Sequence, residues 1–169
     1  QMKIISIGSN LSSTYGDRLI NIKKTIEFLI IKKIIILNQS SFYETPSYPN
    51  NSNPKFINVI LSIDSNFTSN RLFEILSYIE NKMGRTRKIK NDPRTCDIDI
   101  IDYDGEISKD KSLILPHPRA HERNFVLIPL KEICPNWIHP INKKSIDDLI
   151  KNLDLSTRNE IIKLKEKVL

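Results

Sequence analysis

Residues 56–84 read FINVILSIDSNFTSNRLFEILSYIENKMG. The opening residues alternate well enough for a strand over 56–63. A helix follows over 68–83. Thr68 or Ser69 offers its cap, Leu72, Ile75, Leu76, Ile79 and Met83 fall on one face, and Gly84 closes it. Downstream, past a basic stretch, 96–103 reads as another strand and Asp104-Gly105 signals a hairpin. Upstream, 3–7 is a short buried strand that stops at the turn-formers Gly8-Ser9-Asn10. A helix over 15–31 takes its cap from Ser12, Ser13 or Thr14 and aligns Leu19, Ile22, Ile26, Leu29 and Ile30. Then 34–43 is a strand rich in β-branched residues, and Pro46, Pro49 and Pro54 make 45–54 a loop.

The resulting order, β-α-β-β-α-β, is the split βαβ pattern of ferredoxin-like folds. The fold class expected is therefore α+β, a ferredoxin-like sandwich with a C-terminal helical and hairpin elaboration. In that elaboration Pro116 and Pro118 break the chain, and helices are expected over 126–133 and 145–153. No repeat or linker divides the chain, so one domain over 2–169 is the expectation, unfused to another enzyme.

The bulk composition agrees. A chain of 169 residues with 39% hydrophobic and 27% charged residues is long enough to bury a core without staples. Apolar runs such as 34–37 are too short to span a bilayer, and Lys3 is followed at once by a strand-like run rather than a leader. Cys96 and Cys134 have no metal-ligand spacing and read as buried thiols in a reducing compartment, so a cytoplasmic location is expected. The net charge of +6 owes much to a composition rich in Ile, Lys and Asn. Where the cations cluster is more informative than their total.

Asp97-Ile98-Asp99 would place two carboxylates on one face of a strand, with Cα atoms about 6.5–7 Å apart. Cys96, Ile98 and Ile100 would then face the core. Such a pair repels itself unless a cation lies beside it, and oxygen-only ligation suits Mg²⁺, which shares itself with substrate phosphates. Directly ahead runs GRTRKIKNDPR (84–94), with Arg85, Arg87, Lys88, Lys90 and Arg94. A cationic loop feeding a metal pair fits a polyphosphate. A third group, LPHPRAHERNF (115–125), adds His117, Arg119 and Arg123. His117 and His121 stand four apart, but the prolines argue against the helix that a shared metal would need. A fourth group is Ser41-Phe42-Tyr43-Glu44-Thr45-Pro46 with Phe56-Ile57-Asn58. Phe56 and Asn58 share a strand face, an aromatic ring and a carboxamide suited to a flat heterocycle.

Taken together, these segments resemble the 6-hydroxymethyl-7,8-dihydropterin pyrophosphokinase family of folate synthesis. The likeness runs from Ile7-Gly8-Ser9-Asn10-Leu11 through the 41–46 and 56–58 segments, Glu80 and Gly84-Arg85. It continues through Pro93-Arg94-Thr95-Cys96-Asp97-Ile98-Asp99 and His117-Pro118-Arg119 to Arg123 and Phe125. It implies transfer of pyrophosphate from ATP to the pterin hydroxymethyl oxygen, with release of AMP. It implies two Mg²⁺ ions on Asp97 and Asp99, with Arg85 and Arg94 joining them as catalytic residues. Gly8, Thr45, Pro46, Phe56, Asn58 and Phe125 would bind the pterin. Glu80, Arg87, Lys88, Arg94, Ile100, His117, Arg119 and Arg123 would bind ATP. Small-molecule partners alone follow from it, with neither nucleic acid nor membrane, and a monomer is expected. The chain departs from the pattern at Lys90-Asn91-Asp92, where many members carry Arg-Trp, and at Ser77 and Ser112, where some carry Gln and Arg.

Two rival readings fail on sequence grounds. Nucleotidyltransferases also combine Gly-Ser with D-x-D, but within a dozen or so residues, whereas here Gly8 and Asp97 lie far apart. An RNA-binding module of the same strand order would carry an aromatic-rich run on its sheet, which is missing.

Overall fold

The computed structural model describes residues 2–11, 13, 15–46, 54–84, 95–154, 156 and 160–165. A six-stranded antiparallel sheet is built from β1 (Lys3–Ser9), β2 (Ile35–Gln39), β3 (Tyr43–Thr45), β4 (Phe56–Asp64), β5 (Asp97–Tyr103) and β6 (Ile162–Lys163). Its order is β5-β1-β4-β3-β6, and β2 pairs with β4 on the side that β3 also uses. The helices are α1 (Arg18–Ile31), α2 (Ser69–Lys82), α3 (Asn124–Ile133) and α4 (Ile146–Lys151).

Helix α2 forms where the spacing predicts it. Thr68 caps it by accepting from Arg71 N at 3.1 Å, and Gly84 leaves it with φ +85°. The start of α1 differs from expectation. Its cap is Asp17, which accepts from Ile20 N at 3.0 Å, while the Ser13 hydroxyl turns to Asn21 Oδ1. The single strand expected over 34–43 is two strands. At the break the Ser40 hydroxyl, instead of a backbone carbonyl, accepts from Ile60 N at 2.9 Å. That hydroxyl holds the ladder while the backbone departs from strand geometry, so β2 and β3 are separate.

Strand alternation divides the core between the two faces of the sheet. Ile5, Ile7, Val59, Leu61, Ile63, Ile98 and Ile100 pack with Ile22, Leu29, Leu72, Leu76 and Ile79 of α1 and α2. The other face gives Ile4, Ile60 and Ile101 to α3, α4 and Trp137. A register shift opposite Ile4 and Ile5 adds a residue to β5, so that Ile4 pairs with Asp102 and Ile5 with Ile100. The bulge brings Asp102 onto the α3/α4 face, where the buried carboxylate accepts from Trp137 Nε1 and Gly105 N, each at 2.9 Å. Asp104 (φ +54°) and Gly105 (φ +74°) do form a tight turn. The chain then returns through one isolated bridge, Ser108 to Leu115, and not through the hairpin expected. The short β6 on the edge of β3 has no counterpart in the sequence reading. Among the described residues no helix is long and apolar enough to cross a membrane.

Candidate active site

The core under α3 and α4 takes Ile4, Ile60 and Ile101 from the sheet, and stops short of the next row along the strands. That row is Tyr43, Asn58, Gly8 and Asp97, successive partners across β3, β4, β1 and β5. One step toward the core, Ser6 pairs with Asp99. The pairing thus sets the expected heterocycle-binding residues and the expected metal ligands on one face. Two inter-strand spacings, about 10 Å, separate the strands of Asn58 and Asp97.

On the heterocycle side, Asn58 Nδ2 donates to Thr45 Oγ1 at 3.0 Å, and both residues are buried. A side chain at Gly8 would bring its Cβ within 2.9 Å of Asn58 Oδ1 and 3.5 Å of a Phe56 ring carbon. The glycine is needed for space, since its backbone is ordinary strand. Asn10, in the following turn, donates from Nδ2 to Pro54 O at 3.1 Å and so fastens the chain just ahead of β4. Pro46 follows β3 and is half-buried.

On the carboxylate side, Asp97 and Asp99 are half-buried while Ile98 and Ile100 between and after them are buried. The loop over 116–123 is tied to β5 by His117 N, which donates to Ile101 O at 3.0 Å. His117 Nδ1 accepts from Arg119 N at 3.1 Å, so the neutral ring carries its proton on Nε2. That nitrogen stands 3.9 Å from Asp99 Oδ2, too far for a direct bond. Burial, with Arg123 beside it, pushes His117 down to about 4 against the opposing pull of Asp97. The imidazole is therefore neutral near pH 7 and offers one N–H to the space before the carboxylates. Burial also lowers Arg123, whereas the Asp99 and Asp97 carboxylates act to raise it. A guanidinium stays charged throughout. Its carbon lies 5.3 Å from the centre of the Phe125 ring, a cation–π contact at the first turn of α3.

Other expected residues fall elsewhere. The Ile100 side chain lies in the α1/α2 core, because alternation that brings Asp97 and Asp99 to one face sends Ile98 and Ile100 to the other. Glu80 lies beneath the start of β5, where its Oε2 accepts from Ile98 N at 2.8 Å. It braces the outer edge of that strand on the face opposite the carboxylates. Arg119 is exposed and pairs with Glu122 at 3.0 Å. Arg85, Arg87, Lys88 and Arg94, with Lys90-Asn91-Asp92, lie outside the described residues. Ser6, paired with Asp99, escaped the sequence reading. Its signal was available: Ser6 and Gly8 are small residues at i and i+2, on one face of a strand whose other face carries Ile5 and Ile7.

The donor set near Asp97 and Asp99 is hard and anionic, with a neutral imidazole and a fixed guanidinium alongside. It fits Mg²⁺ bound together with phosphate oxygens.

The sequence profile of the family described as 7,8-dihydro-6-hydroxymethylpterin-pyrophosphokinase (HPPK) matches residues 4–135. The chain is 37% identical over 131 residues to the 2-amino-4-hydroxy-6-hydroxymethyldihydropteridine pyrophosphokinase of Bacillus subtilis, covering 77% of this chain and 76% of that one. It is 38% identical over 142 residues to the folic acid synthesis protein fol1 of Pneumocystis carinii, covering 84% of this chain but 19% of that protein. It thus spans about a fifth of that relative, and 20% of a similar Dictyostelium discoideum protein. A crystal structure of Plasmodium falciparum HPPK-DHPS with SDX-DHP superposes with a TM-score of 0.66 at 15% identity, over 89% of this chain and 43% of that one. The likeness in structure supports the fold, and the matches in sequence decide the lineage: the chain belongs to the 7,8-dihydro-6-hydroxymethylpterin-pyrophosphokinase family.

Proposed function

We propose that this chain transfers the pyrophosphoryl group of ATP to the hydroxymethyl oxygen of 6-hydroxymethyl-7,8-dihydropterin. In the step the hydroxyl oxygen bonds to the β-phosphorus, the bond from that phosphorus to the α-bridging oxygen breaks, and AMP leaves while the hydroxyl proton is lost. The observation that carries this reading is the cross-sheet row in which Asn58, Gly8 and Asp97 are successive partners. A heterocycle bonded to Asn58 and Thr45 would hold a side-arm within reach of a polyphosphate anchored near Asp97. Family membership supports the same reading.

Each residue then has a physical task. The Asn58 carboxamide, oriented by Thr45, bonds the pterin edge, and Phe56 and Phe125 pack on its faces. Pro46 shapes the pocket wall and Gly8 leaves room for the amide. Asp97 and Asp99 would hold two Mg²⁺ ions with ATP, which supply charge neutralisation at the phosphates and a lowered pKa for the attacking hydroxyl. His117, neutral, donates from Nε2, and Arg123 adds a fixed cation as charge grows on the phosphate oxygens. Arg85, Arg87, Lys88 and Arg94 would bind the nucleotide phosphates. We read the strand order β5-β1-β4 with β2 and β3 beyond as the ferredoxin-like arrangement, in a single domain that acts as a cytoplasmic monomer.

The deciding assay supplies ATP, Mg²⁺ and the pterin and follows the nucleotide product. AMP is the expected product. ADP, or no turnover with the pterin, overturns the reading.

A further inference from the structure

Strand β3 is three residues long, yet it carries Thr45, on which the orientation of Asn58 depends. So short a strand needs anchors beyond its ladder. On one face Glu44 pairs with Arg18 at 2.9 Å. On the other, Glu132, from the last turn of α3, reaches across 91 positions of sequence to Ser41. Its Oε1 accepts from Ser41 N at 2.8 Å and from Tyr43 OH at 3.0 Å, and its Oε2 accepts from Ser41 Oγ at 2.6 Å. Lys163 of β6 stands 3.5 Å from Oε2. An anion near a helix C-terminus works against the macrodipole, so α3 itself gains nothing from this carboxylate. Burial pushes the Glu132 carboxyl up, but the Ser41 and Tyr43 bonds and Lys163 bring it net below its ordinary range. Tyr43 is pushed up by burial first and by Glu132 second, so its phenol remains a donor.

We propose that Glu132 is a positioning residue for pterin recognition: through Ser41 and Tyr43 it sets the height of β3, and with it the Thr45 hydroxyl that orients Asn58. Tyr43 pairs directly with Asn58 and Thr45 with Phe56, so displacement of Tyr43 moves both pterin contacts together. The inference rests on the pterin reading above. It adds a residue that touches neither substrate.

The geometry also predicts which variant is tolerated. In Glu132→Gln the amide oxygen in the Oε1 position keeps the bonds from Ser41 N and Tyr43 OH. The amide nitrogen in the Oε2 position donates to the Ser41 hydroxyl, which reverses its role. In Glu132→Ala all three bonds are lost. The test compares wild type, Glu132→Gln, Glu132→Ala and Tyr43→Phe by steady-state kinetics and by fluorescence titration with 6-hydroxymethylpterin. Glu132→Ala is expected to raise the pterin KM about ten-fold or more, with the ATP KM within about two-fold of wild type. Tyr43→Phe should move the pterin KM the same way by less, and Glu132→Gln should stay within about three-fold of wild type. Should Glu132→Ala fail to fold, Tyr43→Phe carries the same expectation. A wild-type pterin KM in the disrupted variants, or an equal rise for ATP, overturns the inference alone. Absence of pterin turnover in the wild type overturns the functional reading and this inference with it.

Discussion

Gly8→Ala isolates the geometry of the heterocycle pocket with a single methyl group. The added Cβ would sit 2.9 Å from Asn58 Oδ1, where an ordinary carbon–oxygen contact is about 3.3 Å. Relief of about 0.4 Å is small for a free side chain, but Asn58 is held on its far side by Thr45 at 3.0 Å. The amide cannot retreat from β1 without turning out of that bond. Losing it costs about 1 kcal/mol, and leaving the buried amide without its partner brings the cost to about 1–3 kcal/mol. In the proposed pterin complex the same rotation would withdraw one or two hydrogen bonds from the pterin edge. At about 1–1.5 kcal/mol each, the pterin KM should rise about 10- to 100-fold. The nearest atoms to the new Cβ belong to β4 and none to β5, so the ATP KM should change by less than about two-fold. Steady-state kinetics in each substrate, with a denaturation midpoint measured alongside, reads all three quantities. A folded variant with a wild-type pterin KM refutes the reasoning. So does an ATP KM that rises as far as the pterin KM.

Two further outcomes follow from named residues. Asp97→Asn keeps the shape of the strand and removes one anionic ligand, so the rate should fall at least about 100-fold while the melting midpoint stays near wild type. Mg²⁺-dependent ATP binding by calorimetry should weaken in parallel, and unchanged binding would remove the metal role. Burial lowers the pKa of His139, with His121 adding to it, so as pH falls below about 6.5 the unfolded chain takes the proton first. The stability linked to this group is full above that value and is lost beneath it, with a slope of at most about 1.4 kcal/mol per pH unit. Denaturant titrations between pH 7.5 and 5.5 should show a shallower loss in His139→Gln than in wild type, and equal slopes would refute the assignment.

What the sequence made legible is mostly local. Caps and spacing mark α2 because Thr68 and the Leu72–Ile79 stripe act within a few residues of each other. Alternation alone separates Asp97 and Asp99 from Ile98 and Ile100, and the observed burial follows it. The same rule argues against Ile100 as a nucleotide contact by its side chain, although the family resemblance suggested one. What stayed hidden depends on partners far along the chain. Ser40 ends a strand because its hydroxyl accepts from Ile60 N in place of a backbone carbonyl, and nothing near Ser40 announces that. Glu80 carries an expectation of ATP, yet its position in the fold commits an oxygen to β5.

Strand parity accounts for why the site emerged from so short a stretch. A residue's face is fixed by its neighbours two positions away, so a D-x-D pair declares a shared face without tertiary information. What parity cannot supply is the strand that lies alongside. Asn58 and Asp97 could each be assigned a face from sequence, but whether the two faces coincide depends on β1 running between β4 and β5. Gly8 is the residue at which both pairings meet. Its missing side chain therefore serves a long-range purpose, clearance for Asn58, that reads locally as nothing more than a turn-former. The bulge opposite Ile4 marks the limit of the same rule. It adds one residue to β5 and so puts Asp102 on the face of Asp97 and Asp99, where simple alternation assigns it to the other. There Trp137 and Gly105 satisfy it under α4. Three carboxylates thus share one face, and the C-terminal helices bury Asp102 while Asp97 and Asp99 stay half-buried.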